Sequence, residues 1–84
     1  MYIKRASIFF YRDKEKREID VIIEHDGKLT PIEIKKTSLP NKMDIKNFTV
    51  LGVGDKHEKG FVVCLARDYF PITKDTIAIP IGYL

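Results

Sequence analysis

The dipeptide Asp26-Gly27 constrains the fold of this chain more than any other feature. A two-residue hairpin turn of type I′ needs positive φ at both central positions, and Asp followed by Gly meets that need while matching the twist of the flanking strands. The residues on either side suit strands. Arg17 to Glu24 alternates, with Ile19, Val21 and Ile23 on one face and Glu18, Asp20, Ile22 and Glu24 on the other. Leu29 to Lys36 reads as the return strand. With Asp26 and Gly27 as the turn residues, His25 pairs with Lys28, and every later pair follows. Asp20 then falls opposite Glu33, and Glu18 opposite Lys35. Ile19, Val21 and Ile23, facing Ile34, Ile32 and Thr30, form the expected core surface. The other face gathers Glu18, Asp20, Glu33 and Lys35.

The rest of the chain supplies partners for this hairpin. Ala6 to Arg12, with Ile8, Phe9, Phe10 and Tyr11, reads as a strand, and Asp13-Lys14-Glu15-Lys16 as a polar turn. Lys36 to Pro40 breaks the strand, with Thr37 or Ser38 available as a helix N-cap. Residues 41–51 read as a helix whose inward stripe is Ile45, Phe48 and Leu51, with Gly52 as its stop. Gly60 to Leu65 reads as a buried strand. Ile77 to Ile81 reads as a short terminal strand that Pro80 marks as an edge. The expected fold class is α/β with a mixed sheet: an antiparallel three-strand meander, one helical crossover and a further strand. A single helix covers one sheet face and leaves the other without a partner.

A chain of 84 residues makes one domain, 1–84, near the lower limit of what folds without staples. Its one cysteine, Cys64, cannot form an internal disulfide and lies in the apolar run Phe61-Val62-Val63-Cys64-Leu65, where a buried core thiol is expected. No apolar stretch has the length of a membrane span, and the first residues do not form a signal peptide, so the expected location is the cytoplasm, with no membrane partner. Fifteen Lys and Arg against 12 Asp and Glu give a net charge of +3, with a pI near 9.0. That balance is compatible with a nucleic-acid partner and does not require one. Gly52-Val53-Gly54-Asp55-Lys56 lacks the spacing and the following Ser or Thr of a P-loop and reads as a helix end and turn, so no bound nucleotide is expected. His25 and His57 have no acid or thiol at zinc-site spacing.

The charged hairpin face carries a conflict. Directly opposed residues stand close enough for like charges to destabilise the pair, and Asp20 against Glu33 is such a pair. A hard divalent cation removes the conflict, because Mg²⁺ takes oxygen ligands from one or two carboxylates and keeps several waters for a phosphate to replace. Lys35, on the same face, adds a positive charge where a phosphoryl oxygen or attacking water would sit. On alternation alone, the solvated face of an antiparallel hairpin accounts better for these residues, with Lys35 neutralising Glu18.

Arg17 to Glu24 and Pro31-Ile32-Glu33-Ile34-Lys35 resemble the hairpin of the PD-(D/E)-x-K nuclease superfamily, in which an Asp, a turn and Glu-x-Lys follow in order. The whole chain resembles a C-terminal domain of unknown function found in a prokaryotic family of AAA-type ATPases. Tyr11-Arg12-Asp13, Glu18-Ile19-Asp20, Pro31 to Lys35, the 41–51 helix, the strand from Gly60 and the tail from Ile77 to Leu84 carry that likeness. The resemblance implies a restriction-endonuclease-like fold, with Asp20 and Glu33 as ligands of Mg²⁺ (or Mn²⁺). It implies that Lys35 orients the nucleophilic water and that the Ile34 carbonyl is a further metal ligand. Ile19 stands where the superfamily name has proline. The helix that opens nuclease relatives has no counterpart before the first strand, which implies a fragment or minimal copy of a larger protein's domain.

Two functions follow as expectations. The first is a Mg²⁺-dependent nucleic-acid phosphodiesterase core, with Asp20 and Glu33 on the metal, Lys35 assisting water attack and Glu18 supporting Lys35. Lys4, Arg5, Arg12, Lys36, Lys42 and Lys46 would then contact the phosphates of DNA or another nucleic acid. The second is a non-catalytic module associated with an AAA-type ATPase: an interaction domain, a nucleic-acid-binding accessory, or a homodimer that covers the open sheet face.

Overall fold

The computed structural model describes residues 6–51 and 59–83. Six strands among them form one mixed sheet: β1 (Ser7–Arg12), β2 (Glu18–His25), β3 (Lys28–Ile34), β4 (Gly60–Cys64), β5 (Phe70–Thr73) and β6 (Thr76–Pro80). Their order across the sheet is β1-β2-β3-β4-β6-β5. The first three strands are an antiparallel meander, and β4 joins β3 in parallel after a helical crossover. The expected α/β mixed sheet is therefore present.

Asp26 and Gly27 have φ of 53° and 77°, as a type I′ turn demands. The expected register holds from His25 opposite Lys28 to Val21 opposite Ile32. It does not continue as a regular ladder to Asp20 and Glu33. Against β1, Phe9 pairs with Ile22 and Tyr11 with Ile19, so β2 carries one extra residue between those pairs, a β-bulge at Asp20 and Val21.

The bulge and the side on which the helix packs together overturn the expected division of faces. Ile19 and Ile22, three apart, both point toward the helix, and both are almost fully buried with Phe48. Ile22 therefore belongs to the core and not to the charged face. Pro31 and Glu33 share this covered side and are buried as well. Ile32 and Ile34, expected in the core, line the opposite, open side with Phe61, Val63, Ile79 and Ile81. Among the described residues one sheet face is thus left open, and it is the face that carries Ile32, Ile34, Ile79 and Ile81.

The helix over residues Lys42–Leu51 is 3-10 rather than α. The stripe Ile45, Phe48, Leu51 repeats every third residue, which a helix of three residues per turn places in one line. Asn47, Thr49 and Val50 are weak α-helix formers, and the Thr49 hydroxyl donates back to the Lys46 carbonyl at 3.0 Å. The helix start is set by Asn41, not by Thr37 or Ser38. Asn41 Oδ1 accepts from the Met43 N–H while Asp44 Oδ2 accepts from the Asn41 N–H, both at 2.9 Å, a reciprocal capping box. Thr37 instead accepts from the Leu39 N–H, and its carbonyl accepts from Leu65. The expected stop at Gly52 lies outside the described residues, as do the Gly52–Lys56 turn, His57, Lys4 and Arg5.

Beyond the crossover, β4 and β6 pair in parallel, and Val62, Cys64 and Ala78 form a second buried cluster beneath Ile45 and Phe70. β6 is interior. The edge is β5, which the proline-containing sequence Phe70-Pro71-Ile72-Thr73 concealed, and Pro71 occupies the edge position that a residue without an N–H tolerates. Pro80 merely ends β6, and Ile81 begins a short 3-10 turn.

Candidate functional site

The bulge in β2 positions the acidic pair. Where the regular pairing of β2 with β3 stops, side chains take over the bonding between strands. Glu33 Oε1 accepts from the Asp20 backbone N–H at 3.1 Å, and Asp20 Oδ2 accepts from the Ile34 backbone N–H at 2.9 Å. The Asp20 side of this exchange is exposed, whereas Glu33 keeps only 7% of its surface. The next amide along β3 turns the other way: Lys35 N–H donates to the Val63 carbonyl of β4 at 2.9 Å.

Burial is the chief reason that the Glu33 carboxyl titrates above the ordinary glutamate range. The Asp20 N–H opposes that rise, the Asp20 charge adds to it, and Lys35 opposes it again. Lys35 Nζ stands 3.7 Å from Glu33 Oε2. The sequence thus brings Asp20, Glu33, Lys35 and the Ile34 backbone together, as expected. Glu18 is elsewhere: its carboxylate accepts from Arg12 Nε at 2.8 Å, across β1 and β2, and not from Lys35. The bulge accounts for this, because it breaks the regular register that would have set Glu18 opposite Lys35.

The donor set can be tested against a divalent ion. Two carboxylates of different exposure meet at one strand end, and the Asp20 charge disfavours ionisation of Glu33. The Ile34 N–H donates to Asp20, and the carbonyl of the same residue would be the third candidate oxygen, of the hard type that Mg²⁺ prefers. Among the described residues no group of three or more His, Cys, Asp or Glu converges. These residues fit an ion that takes most of its remaining ligands from water and phosphate, and they do not fit an all-protein cage.

A second polar centre was not singled out from the sequence. Asp13, in the turn between β1 and β2, accepts from the Tyr11 hydroxyl (2.9 Å), the Glu15 N–H (2.9 Å), the Arg17 N–H (3.1 Å) and Arg17 Nε (2.8 Å). Burial alone would raise its carboxyl. The bonds from Arg17, Tyr11 and Glu15 outweigh that effect and hold it below the ordinary aspartate range. This cluster closes a turn in which Lys16 adopts a φ of 62°, and its ordering role is local. The sequence signal for it was the Tyr-x-Asp spacing at 11 and 13 with Arg17 four residues on.

No described helix is long and apolar enough to cross a membrane. No curated protein and no solved structure matches this chain. Residues 2–84, nearly the whole sequence, match one family, described as Domain of unknown function (DUF4143). The chain belongs to that family.

Proposed function

We propose that this domain is a Mg²⁺-dependent nucleic-acid phosphodiesterase core of the PD-(D/E)-x-K type. The observation that carries the reading is the bulge in β2, which takes Asp20 out of the ladder and leaves it beside buried Glu33 and Lys35. Bulges recur next to active sites because they re-aim a side chain at little cost to the sheet. A buried carboxyl with a raised pKa beside a second acid and a lysine also has the electrostatics of a working site.

In this reading Asp20, Glu33 and the Ile34 carbonyl would hold the metal. When bound, the ion would polarise a phosphoryl oxygen and make a water more acidic. Lys35 holds positive charge near the carboxylate edge, where it orients the attacking water and offsets charge gathering on the phosphate. Glu33 is kept in place by the Asp20 N–H, and Asp20 by the Ile34 N–H, so neither carboxylate has to reorganise far to meet a cation. Glu18 takes no direct part while it is bound to Arg12.

The open sheet face favours a second reading, in which the domain works as a non-catalytic interaction module beside an AAA-type ATPase. Calorimetric titration with Mn²⁺ and Mg²⁺ separates the two. Saturable binding that Asp20→Asn and Glu33→Gln both abolish, followed by cleavage of single- or double-stranded DNA, is the outcome expected of the nuclease core. A folded wild-type chain that binds neither ion sinks it and leaves the module.

A further inference from the structure

The end of the sheet where the bulge lies carries a depression of mixed chemistry. Phe10, Tyr11, Arg12, Glu18, Ile19 and Asp20 line a cavity of about 300 Å³ between β1 and β2. The register explains how it forms. Phe9 pairs with Ile22 and Tyr11 with Ile19, so Phe10 stands opposite the bulge residues Asp20 and Val21. Tyr11 packs against the core under the helix, and alternation along β1 turns its neighbours Phe10 and Arg12 to the other side of the sheet. The Phe10 ring is 69% exposed. Arg12 Nε donates to Glu18 Oε1 at 2.8 Å, and both side chains are more than half exposed.

Charge selects what such a depression can take. Arg12 balances Glu18, which leaves the negative charge of Asp20 on the wall. An apolar partner laid over this wall strips water from two carboxylates and a guanidinium, a cost that apolar contact does not repay. That holds whatever covers the isoleucine-lined depression farther along the sheet. A polyanion alone is repelled by Asp20. A divalent cation on Asp20 reverses the sign, and the wall then attracts a phosphate.

The two side chains from β1 complete the complementarity. Arg12, held by Glu18 through Nε, has further N–H donors of the kind that bind phosphate oxygens. The Phe10 ring offers a flat apolar face on which a nucleobase can stack. It lies one cross-strand step, about 5 Å, from Asp20, so a nucleotide can reach both. A base inside a duplex is already paired and stacked on its neighbours, and only an unpaired base can lie on this ring.

We propose that this depression is a nucleotide subsite beside the metal centre, with Phe10 stacking an unpaired base and Arg12 contacting the phosphate next to the one attacked. The inference rests on the metal-dependent phosphodiesterase reading and narrows its substrate to single-stranded nucleic acid.

The chain contains no tryptophan, so Phe10→Trp introduces a single fluorescent reporter at the exposed ring. Calorimetry with Mg²⁺ on the same preparations separates the two levels of the argument. A folded chain that binds no ion overturns the phosphodiesterase reading and the subsite with it. With Mg²⁺ present, single-stranded DNA or RNA oligonucleotides, compared side by side, should quench the tryptophan saturably. A duplex of the same sequence should bind about tenfold more weakly or worse, and chelator should abolish the quenching. Phe10→Ala should weaken single-strand binding, read from the anisotropy of a labelled oligonucleotide, by about 5- to 150-fold. Arg12→Gln should weaken it as well and reduce its salt dependence by about one ion. Both positions are exposed, so the circular dichroism of each variant should match the wild type. In a chain that does bind Mg²⁺, three results overturn the subsite and leave the metal centre standing. These are equal affinity for single strand and duplex, quenching that survives chelator, and single-strand binding that neither substitution changes.

Discussion

The Asp20 backbone N–H donates to Glu33 Oε1 at 3.1 Å, and the Asp20 carboxylate accepts from the backbone N–H of Ile34, the residue after Glu33, at 2.9 Å. Each acid is therefore tied to the other's strand. Two like charges are held beside one another by backbone donors.

The raised pKa of Glu33 makes its ionised form a burden on the fold. The sign follows from linkage: the favourable contribution is complete below the ordinary glutamate range and is lost as pH rises through the higher folded value. Glu33→Gln keeps an acceptor for the Asp20 N–H and removes the charge. In chelator at neutral pH the variant should match or exceed the wild type, by on the order of 1 kcal/mol or less given partial solvent screening. The gap should close at mildly acidic pH. Adding Mg²⁺ should raise the melting temperature of the wild type alone. Thermal melts across pH, with and without the ion, check all three expectations.

Gly60 opens β4 beneath the helix, and a Cβ built there would lie 2.7 Å from Phe48 Cε2 and 3.3 Å from Pro31 Cγ. Gly60→Ala should therefore destabilise the domain by about 1–3 kcal/mol through overpacking. Combining it with Phe48→Leu should cost less than the two single changes added together, because the smaller side chain makes room. Urea unfolding of the four proteins gives the coupling.

Asp13 receives four hydrogen bonds and titrates below its ordinary range. Stability from a depressed carboxyl is present above the ordinary aspartate range and disappears as pH falls through the lowered value. Asp13→Ala should lower the melting temperature at neutral pH and melt alongside the wild type in strong acid. Tyr11→Phe, which removes one donor, should show a smaller effect in the same direction.

Asn41 and Asp44 cap the helix reciprocally. Asn41→Ala should cost about 0.5–2 kcal/mol, whereas Thr37→Ala and Ser38→Ala, outside the cap, should not weaken the helix start. Hydrogen exchange at Met43 and Asp44 distinguishes the loss of this cap from a general loss of stability.

The hairpin was legible because its determinants are local: Asp26-Gly27 sets two positive φ values, and the register runs outward from them. The bulge was not legible. One extra residue leaves no mark in composition, yet it put Ile19 on the same face as Ile22 and brought Glu18 beside Arg12. β5 was hidden for a related reason, since Pro71 is tolerated only where a strand has one neighbour, and edge status is a property of the whole sheet. The threefold spacing of Ile45, Phe48 and Leu51 did hold the information that the helix would wind tightly, though it also fits an α-helix of this length. Asp20, Glu33 and Lys35 were found together because they lie on the two strands that the turn itself aligns.

The order β4-β6-β5 has a consequence for how the domain folds. β6 is the last of the described strands along the chain and yet sits inside the sheet, between β4 and β5. Until residues Thr76–Pro80 dock, β4 can pair with β3 but keeps its far edge bare, and β5 has no neighbour. A bare apolar edge invites pairing with other chains. The folding domain is therefore most exposed to aggregation just before that strand inserts.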